Sequence, residues 1–121
     1  MLVDYEPGML DALRRALRNE GYRMLCASNG TEALELLALS AVQVIVCDQR
    51  MPDMSGTEFL NVAKRLYPET IRIILTGHTD LEVVADSVSR GAVYKSLTKP
   101  WDDDVLKQHI RDGFLCYRPR E

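Results

Sequence analysis

Carboxylate, hydroxyl and ammonium side chains follow four short apolar runs in this 121-residue chain. Asp4 and Asp48 each come directly after such a run, Thr76 follows a third, and Lys99 stands just beyond a fourth. Clustered carboxylates raise one another's pKa values unless a cation neutralises them, and Mg²⁺ prefers carboxylate, water and phosphate oxygens as ligands. A hydroxyl and a lysine suit the other oxygens of a phosphoryl group, and a carboxylate can be the nucleophile that accepts it. The residue types therefore predict phosphoryl chemistry with a hard cation.

These four side chains can act together only if the intervening chain brings the ends of the apolar runs to one edge. Apolar runs rich in β-branched residues alternate along the chain with segments of helical periodicity. The predicted strands cover residues 1–3, 22–27, 42–47, 71–75 and 92–97. The predicted helices run from Pro7 to a stop at Gly21, from a cap at 28–31 to about residue 39, and over 57–66, 80–90 and 102–115.

The third run, 42–47, is apolar throughout, which is typical of a strand buried on both faces of a parallel sheet. Strands that alternate with helices in this way predict the α/β fold class, with a doubly wound five-stranded parallel sheet flanked by five helices. Sites in such sheets lie outside the carboxyl ends of the strands, where the strand order reverses. This fold would gather all four side chains at one edge.

The composition excludes several other classes of protein. The chain has 46% hydrophobic residues, 15 Lys+Arg against 18 Asp+Glu, and a formal net charge of −3. Its length fits one domain over residues 1–121. Its apolar runs are much shorter than the roughly 20 residues of a membrane helix, and its acidity is unlike the basic surface of a nucleic-acid-binding domain. We therefore expect no membrane span and no binding of nucleic acid by this domain.

The cysteines predict a cytoplasmic protein. Cys26, Cys47 and Cys116 lie far apart and form no metal-ligand motif, so neither a zinc site nor a disulfide framework is expected. We expect core-lining thiols in a reducing compartment. No secretory signal is expected, because the first residues lack a charged start followed by an apolar segment.

Four stretches of the chain resemble the receiver domain of two-component response regulators. They are Leu2-Val3-Asp4, the D-x-x-M-P-x-x-x-G block from Asp48 to Gly56, Leu75-Thr76-Gly77, and the segment 97–104 around Lys99-Pro100. The resemblance spans essentially the whole chain, and the block that begins at Asp48 is quite specific. It implies a flavodoxin-like, receiver-type order of the predicted strands.

The resemblance also implies a role for individual residues. Asp48 would be the phospho-acceptor, Thr76 the switch hydroxyl, and Lys99 the lysine that pairs with the phosphoryl group. The implied domain is not a turnover enzyme.

The cofactor that the resemblance implies is Mg²⁺. Asp4, as the first of an acidic pair, and Asp48 would be metal ligands, together with the backbone carbonyl of Arg50. Glu6 stays open between a weak helper of the metal site and a charge that favours the start of the following helix. Phosphatases with a related fold use an Asp nucleophile and a second catalytic acid two residues after it. This chain has Arg50 at that position, which does not favour a phosphatase.

Two positions depart from the family pattern. The family usually places a second acid where this chain has Tyr5, whose neutral hydroxyl is a poor ligand for magnesium. It usually places Tyr or Phe where this chain has Ser96. The two-residue period of a strand would put Tyr94 on the same face as Ser96, where it could partly replace the missing ring. The departures predict weakened binding of Mg²⁺ and leave the aromatic part of the switch open.

These observations predict a signalling module. A histidine kinase or phosphotransfer protein would phosphorylate Asp48, and the face that carries Thr76 and Lys99 would then change and control an output domain in the same parent chain or a receiver dimer. The alternative is a degenerate receiver that acts without phosphorylation as an interaction or dimerisation module. We expect the chain to be a domain excised from a longer protein.

Overall fold

The computed structural model describes residues 1–119 and contains a five-stranded sheet in which all paired strands are parallel. The strands are β1 (Leu2–Val3), β2 (Cys26–Ala27), β3 (Val44–Asp48), β4 (Ile71–Thr76) and β5 (Lys95–Thr98). They lie in the order β2-β1-β3-β4-β5. The strand order reverses between β1 and β3, which is where such a sheet opens a crevice at the carboxyl ends of its strands.

Helices cover both faces of the sheet. They are α1 (Pro7–Leu17), α2 (Gly30–Leu39), α3 (Gly56–Leu66), α4 (Leu81–Ser89) and α5 (Asp103–Cys116), with a 3₁₀ turn at His78–Asp80 before α4. α1 and α5 pack on one face, and α2, α3 and α4 pack on the other. This arrangement confirms the predicted doubly wound α/β fold class. Across residues 1–119, none of the helices is long and apolar enough to cross a membrane.

Side chains placed just before three helices satisfy backbone N–H groups at the helix starts. Asn29 caps α2, and Asp102 caps α5. Ser55 and Glu58 form a reciprocal capping box at α3. α1 instead begins with Pro7, which has no N–H to satisfy. The acidic run 102–104 is typical of a helix start, and the cap by Asp102 confirms that the last helix begins there.

The core has two layers, one on each side of the sheet. In β3, Val44 and Val46 pack towards α1 and α5, whereas Ile45 and Cys47 pack towards α2, α3 and α4. All the residues of β3 are buried. A central strand with helices on both faces has no exposed side, which explains its continuous apolar sequence.

Two strands differ in length from the prediction. Residues 22–27 were predicted as one strand, but β2 contains only Cys26–Ala27 because it is an edge strand beside β1, which itself pairs over two residues. β5 begins at Lys95 rather than at Ala92. The N–H groups of Ala92 and Val93 bond to the carbonyl oxygen of Ser87 in α4, so these residues belong to the connection.

Two helices also end or begin differently. α1 ends at Leu17, before the predicted stop at Gly21, and the chain then turns. The predicted helix over 80–90 begins one residue later, after the 3₁₀ turn, and ends at Ser89. Gly21 and Gly91 have φ angles of +80° and +79°, a conformation that favours glycine, so both still mark the departure from a helix.

Two predictions of burial were wrong. The helical spacing of Phe59, Leu60, Ala63 and Leu66 predicts a buried stripe, but Leu66 is 57% exposed because it is the last residue of α3. Tyr67 packs against the core instead. Of the three cysteines expected in the core, Cys47 is buried, Cys26 is half-buried and Cys116 is exposed near the end of α5.

Candidate functional site

The carboxyl ends of β1 and β3 bring Asp4 and Asp48 together. Val3 pairs in register with Cys47, so the next residues of the two strands, Asp4 and Asp48, lie side by side. Val3 and Cys47 pack towards α2, α3 and α4, and strand alternation therefore directs the two carboxylates to the opposite face. Asp4 is fully buried and Asp48 is 3% exposed. The predicted carboxylates thus form a pair where the strand order reverses.

Lys99 supplies a positive charge to this pair. Its Nζ lies 2.6 Å from Oδ1 of Asp48 and 3.9 Å from Oδ2 of Asp4. The lysine follows β5, and its side chain crosses the end of β4 to reach the end of β3. The short ammonium–carboxylate contact offsets part of the free-energy cost of burying the Asp48 charge.

The surroundings of Asp4 act on its pKa in both directions, and their net effect is to raise it. Burial raises the pKa of Asp4 above its usual value, and the neighbouring charge of Asp48 raises it further. The N–H of Glu6, which donates to Oδ1 of Asp4 at 3.0 Å, and the ammonium of Lys99 act in the opposite direction. Among residues 1–119, no donor is within hydrogen-bonding distance of the buried Oδ2 of Asp4. A buried carboxylate oxygen without a donor is costly, so this atom fits a cation ligand.

Thr76 lies beside the carboxylates but on the other face of the sheet. Its neighbour Leu75 packs towards α1 and α5, so alternation turns Thr76 towards the side of α4. The residue is 1% exposed, and its hydroxyl donates to the carbonyl oxygen of Gly77 at 3.1 Å. The predicted switch hydroxyl is therefore engaged with the β4–α4 connection.

Gly56 lets α3 begin directly against the backbone of Asp48. A Cβ atom at Gly56 would collide with the carbonyl oxygen of Asp48. The side chain of Gln49 closes the same turn, because it accepts from the N–H of Thr57 at 2.9 Å and donates to the Thr57 hydroxyl at 3.3 Å. The last position of the D-x-x-M-P-x-x-x-G block thus needs glycine for close approach of two backbone segments.

Asp53 ties the loop after Asp48 to the start of α2. Its carboxylate accepts from the N–H groups of Gly30 and Thr31 at 3.1 and 2.8 Å, and from the Thr31 hydroxyl at 2.7 Å. The Thr31 hydroxyl is the main cause that lowers the pKa of Asp53 to about 2. The residue thereby caps a helix distant in sequence.

The side chain of Arg50 joins the β3–α3 loop to the β4–α4 connection. Its Nε donates to Oδ2 of Asp80 at 2.9 Å, and its Nη2 donates to Oδ1 of Asp80 at 3.3 Å and to the Thr79 hydroxyl at 3.1 Å. The Arg50 side chain is 69% exposed, whereas that of Asp80 is 17% exposed. The guanidinium thus lies over the rim of the site, outside the buried carboxylate pair.

Tyr5 and Glu6 do not enlarge the carboxylate pair. Tyr5 is 47% exposed, and Glu6 is exposed at the start of α1 without capping it. Within residues 1–119, no group of three or more His, Cys, Asp or Glu side chains is arranged to hold a metal ion. The donors that fit a cation are therefore the two carboxylates of Asp4 and Asp48.

Ser96 and Tyr94 lie on different faces. Ser96 pairs in register with Ile74, on the side of α4, and is exposed. Tyr94 packs in the layer of α1 and α5, and its hydroxyl lies 3.7 Å from Sγ of Cys116 in α5. The predicted shared face is wrong because Tyr94 precedes β5 and still belongs to the connection from α4. Tyr94 is thus not placed to replace the missing aromatic ring.

A groove of about 420 Å³ lies between α1 and the β5–α5 connection. Met9, Ala12 and Arg15 line it from α1, and Trp101 lines it from the opposite side. Trp101 is half-buried, and its Nε1 donates to Oδ1 of Asp103 at 2.9 Å. The groove lies next to Lys99, because Trp101 follows it by two residues.

Sequence reasoning missed three residues around the site, namely Gln49, Asp53 and Asp80. For Asp53 and Asp80 the one signal was residue type, because Asp in loops commonly accepts backbone or side-chain hydrogen bonds. The partners of these two aspartates are distant in sequence, namely the start of α2 for Asp53 and Arg50 for Asp80, whereas Gln49 bonds to Thr57 in the same connection. Only the folded arrangement identifies these contacts.

The amino-acid sequence of the chain is similar to those of known proteins. The family model of the response regulator receiver domain matches residues 1–111. The hydrogenase transcriptional regulatory protein HoxA of Cupriavidus necator is 41% identical over 113 residues, which cover 93% of this chain and 23% of that protein. HoxA of Bradyrhizobium diazoefficiens is 37% identical over 118 residues, which cover 98% of this chain and 24% of that protein. The chain spans about a quarter of the length of these relatives.

Solved structures share the fold. The signal receiver domain of an HD domain-containing protein from Pseudomonas fluorescens has a TM-score of 0.88 and 35% identity, with 94% of this chain and 84% of that chain covered. A response regulator receiver domain protein from Clostridium thermocellum has a TM-score of 0.86 and 29% identity, with 94% and 91% covered. Both likenesses extend over nearly the whole sheet and its helices.

Proposed function

The chain belongs to the response regulator receiver domain family, and from this premise we propose that Asp48 is the residue that accepts the phosphoryl group. The contact of 2.6 Å between Nζ of Lys99 and Oδ1 of Asp48 carries the proposal, because it places a cation on a nearly buried carboxylate. Asp4 adds a second carboxylate at the same edge of the sheet.

The proposed reaction is a single phosphoryl transfer. A carboxylate oxygen of Asp48 attacks the phosphorus of a phosphohistidine on the donor protein. An O–P bond forms, the P–N bond breaks, and the donor's imidazole nitrogen keeps the electron pair. The charge on the phosphoryl oxygens is stabilised by the ammonium of Lys99. The product is an acyl phosphate on Asp48, so the domain is a phosphoacceptor rather than a turnover enzyme.

Receiver domains in general bind Mg²⁺ at their acidic pocket. We propose that Asp4 and Asp48 would hold it here with the backbone carbonyl of Arg50, and that water would complete the ligand set. When bound, Mg²⁺ neutralises charge on phosphoryl oxygens. The buried Oδ2 of Asp4, for which residues 1–119 supply no donor, supports this ligand set. Tyr5 supplies no carboxylate, so the proposed affinity is weak, and Glu6 contributes at most a nearby charge.

The proposed response begins at Thr76. Phosphorylation adds a charge of roughly −1.5 to −2 and strong acceptor oxygens. The hydroxyl of Thr76, now bonded to Gly77, would turn to these oxygens and shift a two-state equilibrium of the β4–α4 connection. We propose that an output region elsewhere in the parent protein, or a second receiver, binds the changed surface.

The groove between α1 and Trp101 is the proposed docking place of the phosphodonor, a histidine kinase or a phosphotransfer protein. It combines apolar side chains with Arg15 and lies next to Lys99. We further propose that the domain acts in the cytoplasm, where such donors deliver their phosphoryl groups.

Labelling of Asp48→Asn tests the proposed acceptor. The wild type, incubated with radiolabelled acetyl phosphate and Mg²⁺, is expected to gain one label that hydroxylamine removes, as it does from acyl phosphates. Asp48→Asn should gain none, whereas Asp53→Asn, a matched control in the same loop, should label like the wild type. Equal labelling of Asp48→Asn, or no labelling of the wild type by any kinase or acyl phosphate, would reject Asp48 as the acceptor.

The alternative function, an interaction module independent of phosphorylation, rests on Tyr5 and Ser96. The relatives do not favour it over the phosphoacceptor. It would gain support if the wild type bound neither Mg²⁺ nor a phosphoryl group while Tyr5→Asp bound both.

A further inference from the structure

The contact between Arg50 and Asp80 bridges the two connections that flank the proposed phosphoryl site. Arg50 stands two residues after Asp48, and Asp80 stands four residues after Thr76. Both carboxylate oxygens of Asp80 accept from Arg50, and Thr79 accepts from the same guanidinium. The β4–α4 connection is therefore attached to the loop of the proposed acceptor.

Asp80 could also serve the start of α4, but its side chain does not do so in this structure. It occupies the N-cap position of α4, and aspartate is among the best N-cap residues, yet its side chain makes no capping hydrogen bond. Asn29, Ser55 and Asp102 all cap their helices from an extended backbone, whereas Asp80 has φ −110° and ψ 12° and must change its backbone conformation to do the same. The carboxylate of Asp80 thus has two alternative partners, Arg50 or the first N–H groups of α4.

We propose that Arg50 is a positioning residue that holds the β4–α4 connection in its unphosphorylated place, and that a phosphoryl group on Asp48 competes with Asp80 for its guanidinium. This inference rests on the proposed function of Asp48. Arginine binds phosphoryl oxygens strongly, so the new charge draws Arg50 away from Asp80. Asp80 then caps α4, where its charge also favours the positive end of the helix. The exchange couples the acceptor loop to α4 independently of the Thr76 hydroxyl.

The contact between Arg50 and Asp80 is weak enough for phosphorylation to reverse it. Arg50 is 69% exposed, and an exposed ion pair changes an equilibrium by about two- to fivefold. Phosphorylation can overcome a bias of this size, whereas a buried and stronger contact would hold the connection in one place.

Hydrogen exchange in the unphosphorylated protein tests the contact. In Arg50→Gln and in Asp80→Asn, amides of residues 77–80 are expected to exchange about two- to fivefold faster than in the wild type. The double variant should be no faster than either single variant, because both remove the same contact. Arg90→Gln is the matched control: it breaks an exposed ion pair with Asp86 at the other end of α4, and residues 77–80 should exchange as in the wild type.

The same four proteins of the double-mutant cycle are then measured after phosphorylation by acetyl phosphate. The coupling between positions 50 and 80 is expected to disappear, because Arg50 has left Asp80. If the effects of the two substitutions on hydrogen exchange are additive before phosphorylation, the contact between Arg50 and Asp80 does not hold the connection. If their coupling persists after phosphorylation, Arg50 does not leave Asp80 for the phosphoryl group. Failure of the proposed function looks different: the wild type takes no label, whereas the coupling in the unphosphorylated protein is still present.

Discussion

At the scale of residues, Tyr5 is the position that governs the proposed affinity of the site for Mg²⁺. Tyr5→Asp is expected to raise the affinity for Mg²⁺ on the order of tenfold, because a third carboxylate joins Asp4 and Asp48. Titration calorimetry on the unphosphorylated protein measures this change. Tyr5 is 47% exposed, so its replacement leaves the core intact.

Tyr5→Asn separates charge from size at this position. It shortens the side chain as Tyr5→Asp does but adds no negative charge, so its affinity for Mg²⁺ should stay near that of the wild type. If the two variants bind Mg²⁺ equally well, a carboxylate at position 5 does not govern the affinity for Mg²⁺.

The positions of Asp4, Asp48 and Lys99 could be predicted, because each follows a strand and parallel strands end at one edge. The sequence could not predict which face of the sheet Tyr94 occupies. Side chains alternate between the two faces only within a paired strand, and Tyr94 precedes β5. The sequence could not predict the contact of Arg50 either, because Asp80 lies 30 residues away. Long-range contacts of this kind depend on how two loops approach each other.

At the scale of elements, Asp53 makes the attachment of α2 to the β3–α3 loop depend on pH. The pKa of Asp53 is lowered from 3.8 to about 2 in the folded protein, so the ionised carboxylate stabilises the fold. This stabilisation is fully present above the unfolded pKa of 3.8 and is lost as the pH falls towards 2. The free energy of unfolding of the wild type should therefore exceed that of Asp53→Asn at pH 6, and the difference should shrink between about pH 4 and 2.

Urea unfolding at a series of pH values measures this difference. Thr31→Val is the matched variant, because it removes the hydroxyl donor and leaves the backbone donors of Gly30, Thr31 and Met54 to Asp53 in place. Its pH dependence should lie between those of the wild type and Asp53→Asn. The same pH dependence in the wild type and in Asp53→Asn would show that the cap does not stabilise the fold.

The order of the elements was predictable, whereas their ends were less so. β3 was found because both of its faces are buried and its sequence is apolar throughout. β2 was predicted too long because the length of an edge strand is set by its neighbour, β1, and not by its own composition. Helix starts with a polar cap, such as Asp102, came close to the prediction because the cap is encoded locally.

At the scale of the whole molecule, the sheet separates two surfaces that meet at the site. α1 and the β5–α5 connection form the groove on one side, and the β4–α4 connection with Thr76 lies on the other. Lys99 reaches Asp48, the proposed acceptor, from the side of the groove. In the proposed function, a phosphodonor therefore approaches along one face and the response spreads along the other. A mutation in the groove should then slow phosphorylation by the donor protein without altering the phosphoryl site itself.

Arg15→Glu tests that separation. Arg15 and Asp103 both line the groove, so the variant places two negative charges there and should slow phosphorylation by a histidine kinase or phosphotransfer protein about tenfold. Acetyl phosphate is too small to need the groove, so its rate of labelling should change by less than about twofold. Arg18→Glu makes the same charge change outside the groove, just after α1, and should leave both rates close to those of the wild type. Equal slowing by Arg15→Glu and Arg18→Glu would mean that net charge, and not the groove, governs the encounter with the donor.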